Sequence, residues 1–118
     1  MREPPAIDGF GGGGFRVAGV WRPGSLLIVA DEPSDWRPAS LAELTLDDLR
    51  AVFAAPLGTV EFVLLGTGPT QSLPPRDVRD ALRVAGLGLE FMATEAAAKL
   101  HNVLASQGRL FATALIAI

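Results

Sequence analysis

Thr59-Val60-Glu61-Phe62-Val63-Leu64-Leu65, closed by Gly66-Thr67-Gly68-Pro69, is the stretch on which the fold turns. Its β-branched and aromatic residues read as a buried strand, and the glycines and proline end it. A helix comes next along the chain. Pro75 suits the first turn of a helix, where its missing N–H has no partner anyway. Val78, Ala81, Leu82 and Ala85 then recur on one face, with Arg76, Arg79, Asp80 and Arg83 on the other, until Gly86 stops the helix. Leu87 to Met92 reads as a short strand. Thr94 caps a third helix whose apolar stripe is Ala96, Ala97, Leu100, Val103 and Leu104, and Gly108 closes it before a last strand from Arg109 to Ile118. Strands alternating with helices imply parallel pairing through right-handed crossovers.

Upstream the grammar differs. Thr45, with Asp48 three residues later, predicts the start of a helix whose apolar side is Leu46, Leu49, Val52 and Phe53. Pro33 and Pro38 mark Asp31 to Ser40 as irregular. Phe15 to Arg22 alternates as a strand, Pro23-Gly24 reads as a turn, and Ser25 to Ala30 is apolar enough to be covered on both faces. These form an N-terminal antiparallel hairpin. The predicted architecture is therefore α/β and three-layered, a mixed β-sheet with that hairpin followed by alternating helices and strands. Residues 1–118 form a single globular domain in this reading, as the length of 118 residues suggests.

Composition narrows the function classes. The chain has no cysteine, one histidine and a net charge of −3. Disulfides, thiolate metal sites and cysteine nucleophiles are thereby excluded. An acidic balance is wrong for neutralising phosphates, so nucleic acid is not an expected partner. Met1-Arg2-Glu3-Pro4-Pro5 does not read as a secretory signal. The apolar run from Leu110 to Ile118 is too short for a helical span, which needs about 20 residues. Membrane insertion is not expected, and a cytoplasmic location is.

Gly9-Phe10-Gly11-Gly12-Gly13-Gly14 fits a dinucleotide fingerprint by letter, yet strand-like Phe15-Arg16-Val17-Ala18 stands where that chemistry needs a helix. A glycine turn is the expectation there. The loop after the buried strand is the better site, because open α/β sheets bind ligands beyond the carboxyl ends of their strands. Its candidate ligand-binding residues are Gly66, Thr67, Gly68 and Gln71, glycines for close approach and polar groups for contact. Trp36, in the acidic loop with Asp31, Glu32 and Asp35, is either a partner anchor or a lid over the core. Arg76, Arg79 and Arg83 form a basic stripe interleaved with Asp77 and Asp80, a solvated face or a partner patch. His101 reads as a boundary residue, the alternative being a member of a Ser-His-Asp set for which no G-x-S-x-G elbow is present, and Asn102 as a solvated residue or a site residue; without further His or Cys, neither a metal nor a cofactor is expected.

Ile7-Asp8-Gly9-Phe10 with its glycine run, Leu64-Leu65-Gly66-Thr67-Gly68, Leu73-Pro74-Pro75, Met92-Ala93-Thr94, Asn102-Val103-Leu104 and Gln107-Gly108-Arg109 occur in that order. Together they resemble a small family of unknown function that includes the adipogenesis-associated protein and a mitochondrial complex I assembly factor. The resemblance covers nearly the whole chain. It implies a three-layer α/β fold around a mixed sheet, bacterial relatives, and no established catalytic residue, metal or cofactor. The family's recurrent polar residues fall at Gly66 to Gly68 and from Thr94 to Asn102. Two positions depart from it: His101 stands where an aromatic is usual, and Ala98 where relatives often have Cys. The expected function is a noncatalytic protein-interaction or assembly-factor-like module. The alternative is a small-molecule binder or enzyme using the loop from Gly66 to Ser72.

Overall fold

The computed structural model describes residues 2–118. Three tight hairpins build its first third. β1 (Ile7–Gly11) meets β2 (Gly14–Val17) across Gly12-Gly13, and β2 meets β3 (Val20–Pro23) across Ala18-Gly19. β4 (Ser25–Val29) meets β5 (Glu32–Trp36) across Ala30-Asp31. All six turn residues have positive φ, the geometry whose twist matches the flanking strands.

The N-terminal sheet is antiparallel as expected, but its hairpin lies elsewhere. The chain reverses at Ala18-Gly19, and β3 pairs with β2 rather than with β4. Gly24, at φ +85, instead passes the chain from the three-stranded sheet into a second one. The stretch expected to be irregular contains β5, paired to β4 in register from Val29↔Glu32 to Ser25↔Trp36. Pro33 is tolerated there because β5 is an edge strand.

The second sheet runs β5-β4-β8-β6-β7, where β6 is Phe62–Gly66, β7 is Gly88–Met92 and β8 is Phe111–Leu115. β6 is parallel to both neighbours, while β4 is antiparallel to β8 and β5. Every residue of β6 and β8 is buried, as central strands covered on both faces must be.

Alternation along these strands divides the interior. Phe62, Leu64, Phe111 and Leu115 pack with Ile7, Phe15 and Val17 of the small sheet and with Ala97, Ala98 and Leu104 of α3 (Thr94–Ser106). Val63, Leu65, Ala112 and Ala114 pack on the opposite face against Leu49 and Val52 and against Val78 and Leu82 of α2 (Arg76–Val84). The result is three layers, with the five-stranded sheet in the middle.

The helices obey their sequence signals with three corrections. Thr94 does not cap α3: the cap position is Ala93, and Thr94 is the first helical residue, its hydroxyl turned to Gly68 and Ile116 instead. Thr45 N–H and its hydroxyl both donate to Asp48 Oδ2 at 2.9 Å, but they open a short 3-10 turn, Leu46–Leu49, that runs into the single turn α1 (Arg50–Phe53). Only Leu49 and Val52 of its apolar side are buried; Leu46 and Phe53 face solvent. In α3 the buried stripe is Thr94, Ala97, Ala98, His101 and Leu104, rotated from the one that apolar residues alone define. Ala96 and Val103 are exposed.

Candidate functional site

The strand-end loop is braced from within. Gly66 sits where an added Cβ would lie 2.8 Å from Leu115 Cδ2 and 2.9 Å from Thr94 Oγ1. Its missing side chain lets the start of α3 close onto the sheet. The buried Thr94 hydroxyl accepts from Gly68 N–H at 2.9 Å and donates to Ile116 O at 2.8 Å. Thr67, also buried, receives Ser72 N–H and faces the carbonyls of Thr70 and Met92 at 2.7 and 3.1 Å. Of the four sequence candidates here, Gly66, Thr67 and Gly68 are thus engaged in joining β6, α3 and the C-terminal strand, and Gln71 is exposed.

The polar residues of α3 act as a latch on the N-terminal segment. Asn102 uses its amide as a strand would: Oδ1 accepts from Ile7 N–H at 2.9 Å and Nδ2 donates to Ile7 O at 2.8 Å. It is not the solvated residue that helical spacing predicts. His101 is 2% exposed rather than at the boundary. Its Nε2 lies 2.8 Å from Pro5 O and its Nδ1 2.7 Å from Thr113 Oγ1. A carbonyl only accepts, so Nε2 carries the proton and Thr113 donates to Nδ1. Burial pushes the imidazole pKa below its ordinary 6.5, against the opposing pull of the Pro5 bond and of Asp31. A cleft of about 340 Å³ adjoins this latch, lined by Asp8, Phe10, Lys99 and Asn102 among others. Asn102 is already bonded, and Lys99 pairs with Glu95 at 3.7 Å.

Trp36 takes the second of its two readings. Its ring is buried in the core cluster with Leu49 and Val52, and its indole N–H donates to Asp48 O at 2.8 Å. The residue ties β5 to the α1 segment. Beside it Arg37 grips Asp48 through two 2.8 Å bonds, and with Thr45 this holds the carboxyl at a pKa of about 2. In the basic stripe, Arg76 and Arg83 share Asp80 at 3.9 and 3.4 Å, whereas Arg79 turns back to donate to Pro74 O. Arg76 and Arg83 stay largely exposed.

What sequence reasoning missed is a surface. Two shallow hollows share Phe53. One, of about 610 Å³, is lined by Leu46, Asp47, Arg50, Phe53 and Ala54. The other, of about 120 Å³, includes Leu57, Val60 and Leu87. Leu57 is fully exposed and Val84, at the end of α2, nearly so. The available signal was Leu46 and Phe53 flanking a helix too short to bury all four of its apolar residues.

The layers, the mixed sheet and the α3 latch define a three-layer α/β protein whose strand-end loop is self-bonded. Among the described residues, no group of three or more acidic or histidine side chains gathers as a metal cluster, and no helix is long and apolar enough to cross a membrane. The chain belongs to the family of proteins of unknown function DUF498/DUF598, whose model matches residues 7–116. It is 37% identical over 110 residues to an uncharacterized protein of Rhodobacter capsulatus, across 93% of this chain and 82% of the relative. It is 30% identical over 120 residues to the bovine NADH dehydrogenase [ubiquinone] 1 alpha subcomplex assembly factor 3, covering 98% of this chain and 64% of that protein. Among solved structures, an outer membrane protein from Bartonella henselae superposes with a TM-score of 0.84 at 30% identity, covering 97% of this chain and 95% of that one.

Proposed function

We propose that this chain is a noncatalytic protein-interaction module of the assembly-factor kind, and that partners dock on the α1 and α2 layer. The observation that carries the reading is the grouping of exposed Leu46, Phe53 and Leu57 around two hollows that share one ring. Exposed apolar side chains gathered in one place on a small protein mark contact surfaces more often than scattered ones do. Arg50 lines the same surface, and Arg76 and Arg83 lie on the exposed face of the neighbouring α2, a polar surround of the kind that interfaces carry. Trp36 supports this face from beneath through Asp48. The similarity to a named assembly factor supports the same class of role.

The test is affinity capture from the native host with the wild-type chain, Leu57→Arg and an Arg76→Glu/Arg83→Glu double variant as baits. Leu57 is fully exposed, so Leu57→Arg should melt like the wild type, whereas the double variant sets two further acids beside Asp80 and should melt somewhat lower while remaining folded. Partners retained by the wild type should be lost from Leu57→Arg and weakened by the double variant. An unchanged set of partners across all three baits would refute the assignment of this face.

A further inference from the structure

The two sheets have four edges, and three are obstructed. On β5 the pairing with β4 directs the backbone of Glu32 and Ser34 inward, leaving Pro33, which has no N–H, on the outward side. β3 is four residues long and ends in Pro23. β1 is met at Ile7 by the Asn102 amide. β7 differs. Its ladder with β6 engages Gly88 N–H with Glu61 O and Met92 O with Thr67 N–H, so the groups of Leu89 and Phe91 point away from the sheet. This edge carries neither proline nor capping side chain.

Beside it lies a cleft of about 310 Å³ lined by Phe62, Glu90, Leu100, Leu104 and Arg109. Gly88 pairs with Phe62 and has no side chain to cover that ring. The Arg109 guanidinium stands 5.1 Å above the same ring. Among the described residues neither Arg109 nor Glu90 forms a salt bridge, although most of the other basic side chains do. Two unpaired charges of opposite sign thus flank an open strand edge, one level with Gly88 and one at Glu90.

We propose that β7 accepts, as a sixth strand, an extended segment of another protein with an acidic residue level with Gly88 and a basic residue level with Glu90. The two sit on one face, two positions apart, as strand periodicity requires. Cross-strand complementarity would set the register. A second copy of this chain is a poor occupant: antiparallel self-pairing through Leu89 and Phe91 puts Glu90 opposite Glu90, a like-charge contact that destabilises. The Phe62 cleft beside this edge shares no residue with the Phe53 hollows, although Leu87 of one hollow directly precedes β7.

The probes are synthetic peptides of alternating Val and Thr, long enough to span β7, with Glu-x-Lys or Lys-x-Glu at their centre to cover both strand directions. Glu-x-Glu and Lys-x-Lys peptides serve as controls, and amide shifts and exchange in the full chain are tracked by NMR. At least one mixed-charge peptide should shift and protect Leu89 and Phe91 and bind about threefold or more tighter than either control. Arg109→Glu should move the preference to Lys-x-Lys, and Glu90→Lys to Glu-x-Glu, in variants whose amide spectra show the native fold, the first melting lower for want of its contact with Phe62. The proposal is overturned if no peptide perturbs β7, if all four bind alike, or if the preferences ignore both charge reversals. It is also overturned if the free chain dimerises with the Leu89 and Phe91 amides already protected.

Discussion

Thr94→Val separates a structural from a ligand-binding role for the strand-end loop. Valine keeps the shape and replaces one hydroxyl by a methyl, leaving Gly68 N–H and Ile116 O without the partner they share at 2.9 and 2.8 Å. Thr94 is wholly buried, so water cannot take its place without opening the start of α3. Each orphaned backbone group costs about 1–3 kcal/mol, which puts the substitution at about 2–6 kcal/mol. Against a typical stability of about 5–15 kcal/mol this is a large loss. Thr94→Ser keeps the hydroxyl and removes one methyl, a cost of about 1 kcal/mol. Urea unfolding should show the midpoint falling far for valine and little for serine, with the slope unchanged. Gly66→Ala attacks the same contact from the other side, since its Cβ would fall 2.9 Å from Thr94 Oγ1 and 3.0 Å from Thr94 Cα. The double variant should therefore cost less than the two singles added. If Thr94→Val lies within about 0.5 kcal/mol of wild type, or below serine in cost, the bonded-brace account is wrong.

Two further outcomes concern pH. His101 is held neutral by burial, so its contribution is intact above the ordinary pKa of 6.5 and is lost as pH falls from there toward the lowered native value. Unfolding free energy should decline by up to about 1.4 kcal/mol per pH unit in that window, while a flat profile from about pH 7.5 to 5 would contradict the latch. Asp48 acts in a lower window: its stabilisation is present above the ordinary 3.8 and disappears as pH falls toward about 2. Because Arg37 is more than half exposed and screened, Asp48→Asn should cost only about 1 kcal/mol at neutral pH, read from the same unfolding curves.

The elements legible in the sequence are those whose contacts repeat locally. The apolar spacing of Val78 and Leu82 and the run from Phe62 to Leu65 report their own burial, and all of these side chains are at most 9% exposed. The hairpin turns are less legible because Ala18, Ala30 and Asp31 hold positive φ without being glycine, so residue type gives no sign of the chain reversal.

Polar burial was the hardest to read, and for a definite reason. A stripe drawn through the apolar residues of α3 must include Ala96 and Val103 and exclude His101, because hydropathy scores a side chain in isolation. What decides burial is whether a carbonyl waits opposite, and for His101 that carbonyl is Pro5 O, 96 residues away. Thr94 and Gly68, 26 residues apart, obey the same rule. The Gly66-Thr67-Gly68 loop could therefore be located from sequence as a place of close backbone approach. Its approaching backbone is α3 of the same chain, and that identity is set by tertiary closure rather than by any local pattern. The open edge at β7 was hidden in the same way: Gly88 and Glu90 signal nothing until strand order makes β7 terminal and sets Arg109 over Phe62.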